Sequence, residues 1–366
     1  MEPRFHVPIN KANNGSTARR NGNGRAFSGW VLVLLVVVTA LVVGGFVAVT
    51  NRSHVAEFLQ DPVQDSPEVS GKDVIVSYDP EAQWFPEEVL GTAEESVAGT
   101  AMIPPEVQSK SALLVELGSG KVLFEQSSEE VLPIASLTKI MTAVVALERT
   151  PLDTVFTVSE AAEEVGENSM GLTAGEKYTF NELLYGLILH SGNDAAYAIA
   201  EGVLGDEARF VDLMNKKAEE LGLKNTYFAD SSGLEDKTYS TTVDLVKLTK
   251  YAMKFPYFRE VVKTVEIELL GVMVDTPNGP NGSDPTHKFL YLYNQTNLLS
   301  TYPGVEGVKT GYTEEAGLCL VTYARHEDLE LVGVVLNSPN RKGDMILMLD
   351  YGFSGLGIEV EHDLLD

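Results

Sequence analysis

Ala112-Leu113-Leu114-Val115-Glu116-Leu117-Gly118-Ser119-Gly120-Lys121-Val122-Leu123-Phe124-Glu125 reads as two apolar runs broken by a Gly-Ser-Gly turn. Short apolar runs joined by a glycine turn predict a β-hairpin. Similar runs recur near the other end of the chain, at 316–324 and 329–336, joined by the polar turn His326-Glu327-Asp328. Between them, after Pro133, the apolar spacing predicts helices over 136–148, 180–190, 193–203, 206–221 and 241–254. A last helix is predicted around 342–350. Strands at both ends with helices between them imply a sheet assembled from distant parts of the chain and flanked by helices.

Outward from that domain, the chain changes character. Residues 1–26 are rich in Asn, Gly and Arg and carry five Lys/Arg against one acid, which predicts a disordered basic tail. From Trp30 to Val49 every residue except Thr39 is apolar or glycine, with no charge. Twenty such residues in a helix reach across a hydrocarbon core of about 30 Å. The stretch is too long for the apolar core of a cleaved signal peptide, so 27–50 is expected to be an uncleaved anchor. The basic residues precede it, so the N-terminus is expected in the cytoplasm and the remainder outside the cell membrane. Residues 51–107 are rich in Pro, Glu and Asp and read as an acidic linker. The domain is expected over 108–357, with 358–366 as a short C-terminal tail.

The 366 residues carry a net charge of −26. A surface that acidic repels phosphate backbones, so nucleic acid is not expected as a partner. The one cysteine, Cys319, lies in the apolar run 317–321 and reads as a buried thiol. The six histidines are scattered without metal-ligand spacing, and no metal site is expected.

Three short elements could carry chemistry. In Ser136-Leu137-Thr138-Lys139 a helix would put hydroxyl and amine on one face, and a lysine with a depressed pKa can take the proton of a serine nucleophile. Ser191-Gly192-Asn193 falls in a break between two helices, where a hydroxyl could relay protons and an amide could orient lysine and substrate. Lys309-Thr310-Gly311 offers a cation and a hydroxyl for a carboxylate, and a glycine that lets a substrate backbone lie close to a strand. Each element alone is common. In this order, 55 and then 118 residues apart, they match the set of penicillin-binding proteins and class A β-lactamases.

Residues from about 108 to 354 resemble the D-alanyl-D-alanine carboxypeptidases of the low-molecular-mass penicillin-binding proteins, serine peptidase family S11. Besides the three elements, the likeness is carried by Ile134–Thr142, Met170–Glu176, Leu183–Leu187, Asp194–Ala196, Leu221–Phe228 with Gly233-Leu234, and Gly307–Thr313 leading to Ala316–Cys319. The resemblance implies an α/β (α+β) domain of the β-lactamase/transpeptidase type, with a central antiparallel sheet flanked by helices and a helical subdomain. It implies that Ser136 is the acylated nucleophile, Lys139 its general base, and Ser191 and Asn193 the proton-shuttling and positioning pair. Lys309 and Thr310 would hold the substrate carboxylate beside Gly311, and the backbone N–H groups of Ser136 and Tyr312 would form the oxyanion hole. The implied substrate is a peptidoglycan stem peptide ending in D-Ala-D-Ala, with β-lactams as covalent inhibitors and no cofactor. Many members continue into a β-rich second domain and a C-terminal anchor; this chain stops at Asp366, so anchoring is expected at the N-terminus. Residues 275–285, with Pro277, Pro280 and Pro285, predict a loop or widened hairpin.

Cleavage of peptide crosslinks by a D,D-endopeptidase fits the same residues. A class A β-lactamase needs a deacylating glutamate in a Glu-x-x-Leu-Asn segment after the second element, and this chain has none. A β-lactam sensor would usually need more transmembrane segments or a cytoplasmic signalling domain, which a 26-residue tail expected to be disordered does not offer.

Overall fold

The computed structural model describes residues 103–275 and 283–364. The basic tail, the anchor expected over 27–50 and the linker up to residue 102 lie outside the described residues. Among the described residues no helix is long and apolar enough to cross a membrane.

The hairpin forms as Ser111–Glu116 (β1) and Val122–Gln126 (β2), and it joins Val305–Thr313 (β3), Gly317–His326 (β4) and Leu329–Ser338 (β5). The five strands form one antiparallel sheet in the order β3-β4-β5-β1-β2. Strands with both faces buried lack the polar alternation of a half-exposed strand, which is why these read as continuous apolar runs. Period-2 geometry then divides the side chains between two cores. Leu113, Val115, Val321, Tyr323, Val332 and Val334 face the larger helical layer. Ala112, Leu114, Leu320, Ala324, Leu331 and Val335 face the C-terminal helix. Burial of each large apolar side chain in either core stabilises the fold by about 1.5–3 kcal/mol.

The helices described are Lys139–Leu147 (α1), Glu160–Glu164 (α2), Phe180–Ile188 (α3), Asn193–Leu204 (α4), Glu207–Glu220 (α5), Thr242–Ala252 (α6), Pro256–Lys263 (α7) and Arg341–Gly355 (α8). Thr179 and Glu182 close a capping box at the start of α3, and Asp206 and Thr241 cap α5 and α6 through their side chains. Asp344 in α8 accepts from Gln108 N at 2.9 Å and Ser109 N at 2.8 Å, which ties the start of the domain to its end. Beyond Gly357, Ile358, Val360 and Leu364 pack against the smaller core.

The helix expected over 136–148 starts as a 3-10 turn, Ala135–Thr138, and becomes α-helical at Lys139. Helix α7 and the strand pair Glu266–Leu269/Leu290–Tyr293 did not stand out in the sequence. The expected widened hairpin has paired flanks, Met273–Asp275 against Ser283–Pro285; its tip, 276–282, is outside the described residues. Cys319 is fully buried, and burial pushes its thiol up to about 11.

Candidate active site

The edge strand β3, the 135–138 turn and the break before α4 converge on a cleft of about 260 Å³. Ser136, Ser191, Asn193, Thr310, Gly311 and Tyr312 all line it. Lys139 and Lys309 lie beneath, at 0% and 1% exposure. All eight candidate residues therefore come together.

Two glycines make the convergence possible. A Cβ on Gly311 would stand 2.9 Å from Ile134 O and 3.3 Å from Ser136 N, so only glycine lets β3 approach the backbone of Ser136 this closely. A Cβ on Gly233, which has φ +79°, would stand 1.9 Å from Ala135 O. Ala135 itself has φ 48° and Ser191 φ 57°, left-handed values uncommon outside glycine, and both lie within one residue of a cleft-lining serine or at one.

Lys139 Nζ lies 2.9 Å from Ser136 Oγ, 2.7 Å from Asn193 Oδ1 and 2.7 Å from Ser232 O. Burial pulls its pKa down to about 7, against the opposing pull of Asp230, Asp194 and Glu167. A neutral amine has two N–H donors and one lone pair. Asn193 Oδ1 and Ser232 O can only accept, so they take both hydrogens, and the lone pair is left for the Ser136 hydroxyl. Chemically, that arrangement suits a general base beside a nucleophilic hydroxyl.

Lys309 Nζ donates to Ser191 Oγ at 2.8 Å and to Thr310 O at 3.0 Å. Burial, with Lys139 and Arg341 nearby, holds its pKa well below the usual lysine range. Arg341, which also lines the cleft, donates to Gly311 O at 2.8 Å. Arg341 thus places a positive charge beside Gly311 and Thr310, suited to a carboxylate.

Sequence reasoning missed the groups that hold these side chains. Asp194 is fully buried; it accepts from Met170 N, Gly171 N and Leu172 N, each at 2.9 Å, from Ser169 Oγ at 2.6 Å and from Ala195 N at 2.8 Å. Asp230 accepts from Ser232 N at 2.7 Å and from Gly233 N, which aims the Ser232 carbonyl at Lys139. The available signals were an aspartate after Ser-Gly-Asn and an Asp-Ser-Ser-Gly turn.

A cleft-lining serine beside a buried lysine, at the edge of an antiparallel sheet, is the arrangement of a serine-type acyl-transfer site. The sequence model of the D-alanyl-D-alanine carboxypeptidase family matches residues 98–340, and the chain belongs to that family. It is 38% identical over 256 residues to the D-alanyl-D-alanine carboxypeptidase DacF of Bacillus subtilis, covering 68% of this chain and 62% of that protein. It is 35% identical over 220 residues to a D-alanyl-D-alanine endopeptidase of Pseudomonas aeruginosa, covering 59% of this chain and 67% of that one. The fold is similar to the crystal structure of the Streptomyces K15 DD-transpeptidase, with a TM-score of 0.63 at 34% identity, over 69% of this chain and all of the other. The chain thus spans less than two thirds of the Bacillus relative's length.

Proposed function

We propose that the chain is a D-Ala-D-Ala carboxypeptidase that removes the terminal D-alanine of peptidoglycan stem peptides through an ester on Ser136. The observation that carries this reading is the placement of Lys139 Nζ, 2.9 Å from Ser136 Oγ and 2.7 Å from two groups that can only accept, Asn193 Oδ1 and Ser232 O. Ser136 Oγ attacks the carbonyl carbon of the penultimate D-alanine while its proton passes to Lys139. The developing oxyanion is held by the N–H groups of Ser136 and Tyr312, each such donor being worth about 3 kcal/mol of barrier. The C–N bond breaks, and the proton returns through the Ser191 hydroxyl to the leaving amine. Water then attacks the ester and restores Ser136. Thr310 and Arg341 receive the terminal carboxylate, with Lys309 beneath them. A β-lactam presents a carbonyl and a carboxylate at similar spacing and acylates the same serine.

A second reading, cleavage of crosslinks, is favoured by the identity to the Pseudomonas endopeptidase. In either case the substrate lies outside the cytoplasmic membrane. Residues 27–50 would tether the domain there, N-terminus inward, which the uncharged apolar run behind a basic flank supports.

The test is D-alanine release from a stem pentapeptide by the full chain and by its Ser136→Ala variant. Release by the first alone supports the carboxypeptidase. Release by neither, with cleavage of a crosslinked dimer, transfers the assignment to the endopeptidase.

A further inference from the structure

We infer that Glu167 selects substrates bearing a free side-chain amine on the residue that precedes D-alanyl-D-alanine. The inference rests on the D,D-peptidase reading above and names the substrate class for the same cleft.

Glu167 is the one carboxylate among the residues lining the cleft. Its side chain makes no hydrogen bond or ion pair with any described residue. In a chain of net charge −26 exposed carboxylates are common, so exposure alone means nothing. Its placement sets it apart. Glu167 has φ 65°, a left-handed conformation rare for a residue other than glycine, asparagine or aspartate. The backbone carbonyls of both its neighbours are tied to one residue: Asn193 Nδ2 donates to Gly166 O at 3.1 Å, and Asn193 N donates to Asn168 O at 2.7 Å. The residue that orients Lys139 therefore also fixes the backbone that presents this carboxylate.

The charges around Ser136 are divided between two walls. Arg341, which donates to Gly311 O, supplies the positive charge beside Thr310, where the carboxylate of the leaving D-alanine belongs. The rest of the peptide must then run past Ser136 toward the Asn193 wall, where Glu167 stands. A diamino acid at that position places an ammonium group within reach of an unpaired carboxylate, and acetylation of its amine removes the complement.

The experiment measures D-alanine release by the full chain at neutral pH from two tripeptides. One is Nα-acetyl-L-lysyl-D-alanyl-D-alanine; the other is its Nα,Nε-diacetyl analogue, which has no charged amine. The free-amine peptide should have the higher kcat/KM by about two- to fivefold, the range an exposed ion pair supports, with the difference in KM. Glu167→Gln should bring the ratio near one, Glu167→Lys should reverse it, and Glu167→Asp should restore part of it. Equal rates for the two peptides in the parent, or a preference that survives in Glu167→Gln, overturn the inference alone. A fall shared equally by both peptides in Glu167→Gln also overturns it, because that pattern marks only an effect of the charge on Lys139. Release from neither peptide by the parent overturns the carboxypeptidase reading and the amine subsite together.

Discussion

The Lys139 side-chain nitrogen and the Ser232 backbone carbonyl lie 2.7 Å apart, although 93 positions separate them in sequence. With Asn193 Oδ1 at the same distance, this contact decides where the lysine lone pair points. The amine is competent only when neutral, and its pKa is lowered to about 7 by burial. The rate of Ser136 acylation should therefore rise about tenfold per pH unit below that value and level off above it. A stopped-flow pH profile with a fluorescent penicillin reads this directly. The negative charge of Asp230 raises the lysine pKa, so Asp230→Asn should move the midpoint to lower pH. A profile flat across the neutral range would sink the role of Lys139 as base.

The same burial makes Lys139 a stability liability with a definite sign. Its folded-state pKa is lower than its unfolded one, so between about 7 and 10.5 the unfolded chain binds more protons than the folded chain. Stability therefore rises with pH across that window, and below about 7 the full penalty, on the order of a few kcal/mol, is present. Lys139→Met removes the titration. Its orphaned acceptors shift stability by an amount independent of pH. The readout is thus the Tm difference, variant minus parent, which should shrink as pH is raised from neutral toward 10.

The candidate side chains that meet in the cleft were legible in the sequence because the chemistry they suggest is written in residue type and short spacing. Ser136 and Lys139 are three apart, and 3-10 and α geometry both place them on one face, so the 3-10 start of the helix did not disturb the reading. The five-stranded sheet was legible from apolar runs at both ends. The Ser232 carbonyl was not, because every residue has a carbonyl and only the fold selects one. Asp194 and Asp230 act by gathering backbone N–H groups, a role that no spacing rule encodes. Helix α7 was hidden by its brevity directly behind α6, although Pro256 at its start and Phe258, Val261 and Val262 on one face fit a short amphipathic helix.

Lys309 should take up a proton when substrate binds. In the free cleft, burial, with the neighbouring basic groups Lys139 and Arg341, holds its pKa well below the usual lysine range. A carboxylate arriving at Thr310 adds the opposite charge and pulls the pKa back up. Calorimetric titration of the Ser136→Ala variant with a D-Ala-D-Ala peptide, at mildly alkaline pH in buffers of different ionisation enthalpy, measures the protons exchanged. Net uptake is expected in the parent background and should vanish with Lys309→Met. Uptake that persists in that second variant would assign the proton to another group.

Gly233 holds the acyl-transfer geometry together from outside the three sequence elements. With φ +79° and a would-be Cβ 1.9 Å from Ala135 O, neither its conformation nor its surroundings admit a side chain. Gly233→Ala must push the 230–235 turn away from the 135–138 turn, and overpacking of this kind costs about 1–3 kcal/mol. The same displacement carries the Ser232 carbonyl away from Lys139 and frees an N–H to turn toward Ser136. The variant should therefore lose both stability and acylation, and acylation should stay low at temperatures where circular dichroism shows the domain folded. The Glu235→Ala control alters a side chain of the same turn without entering that contact, since only its backbone N–H bonds Asp230. Equal acylation by the two variants would show that the turn does not need this glycine.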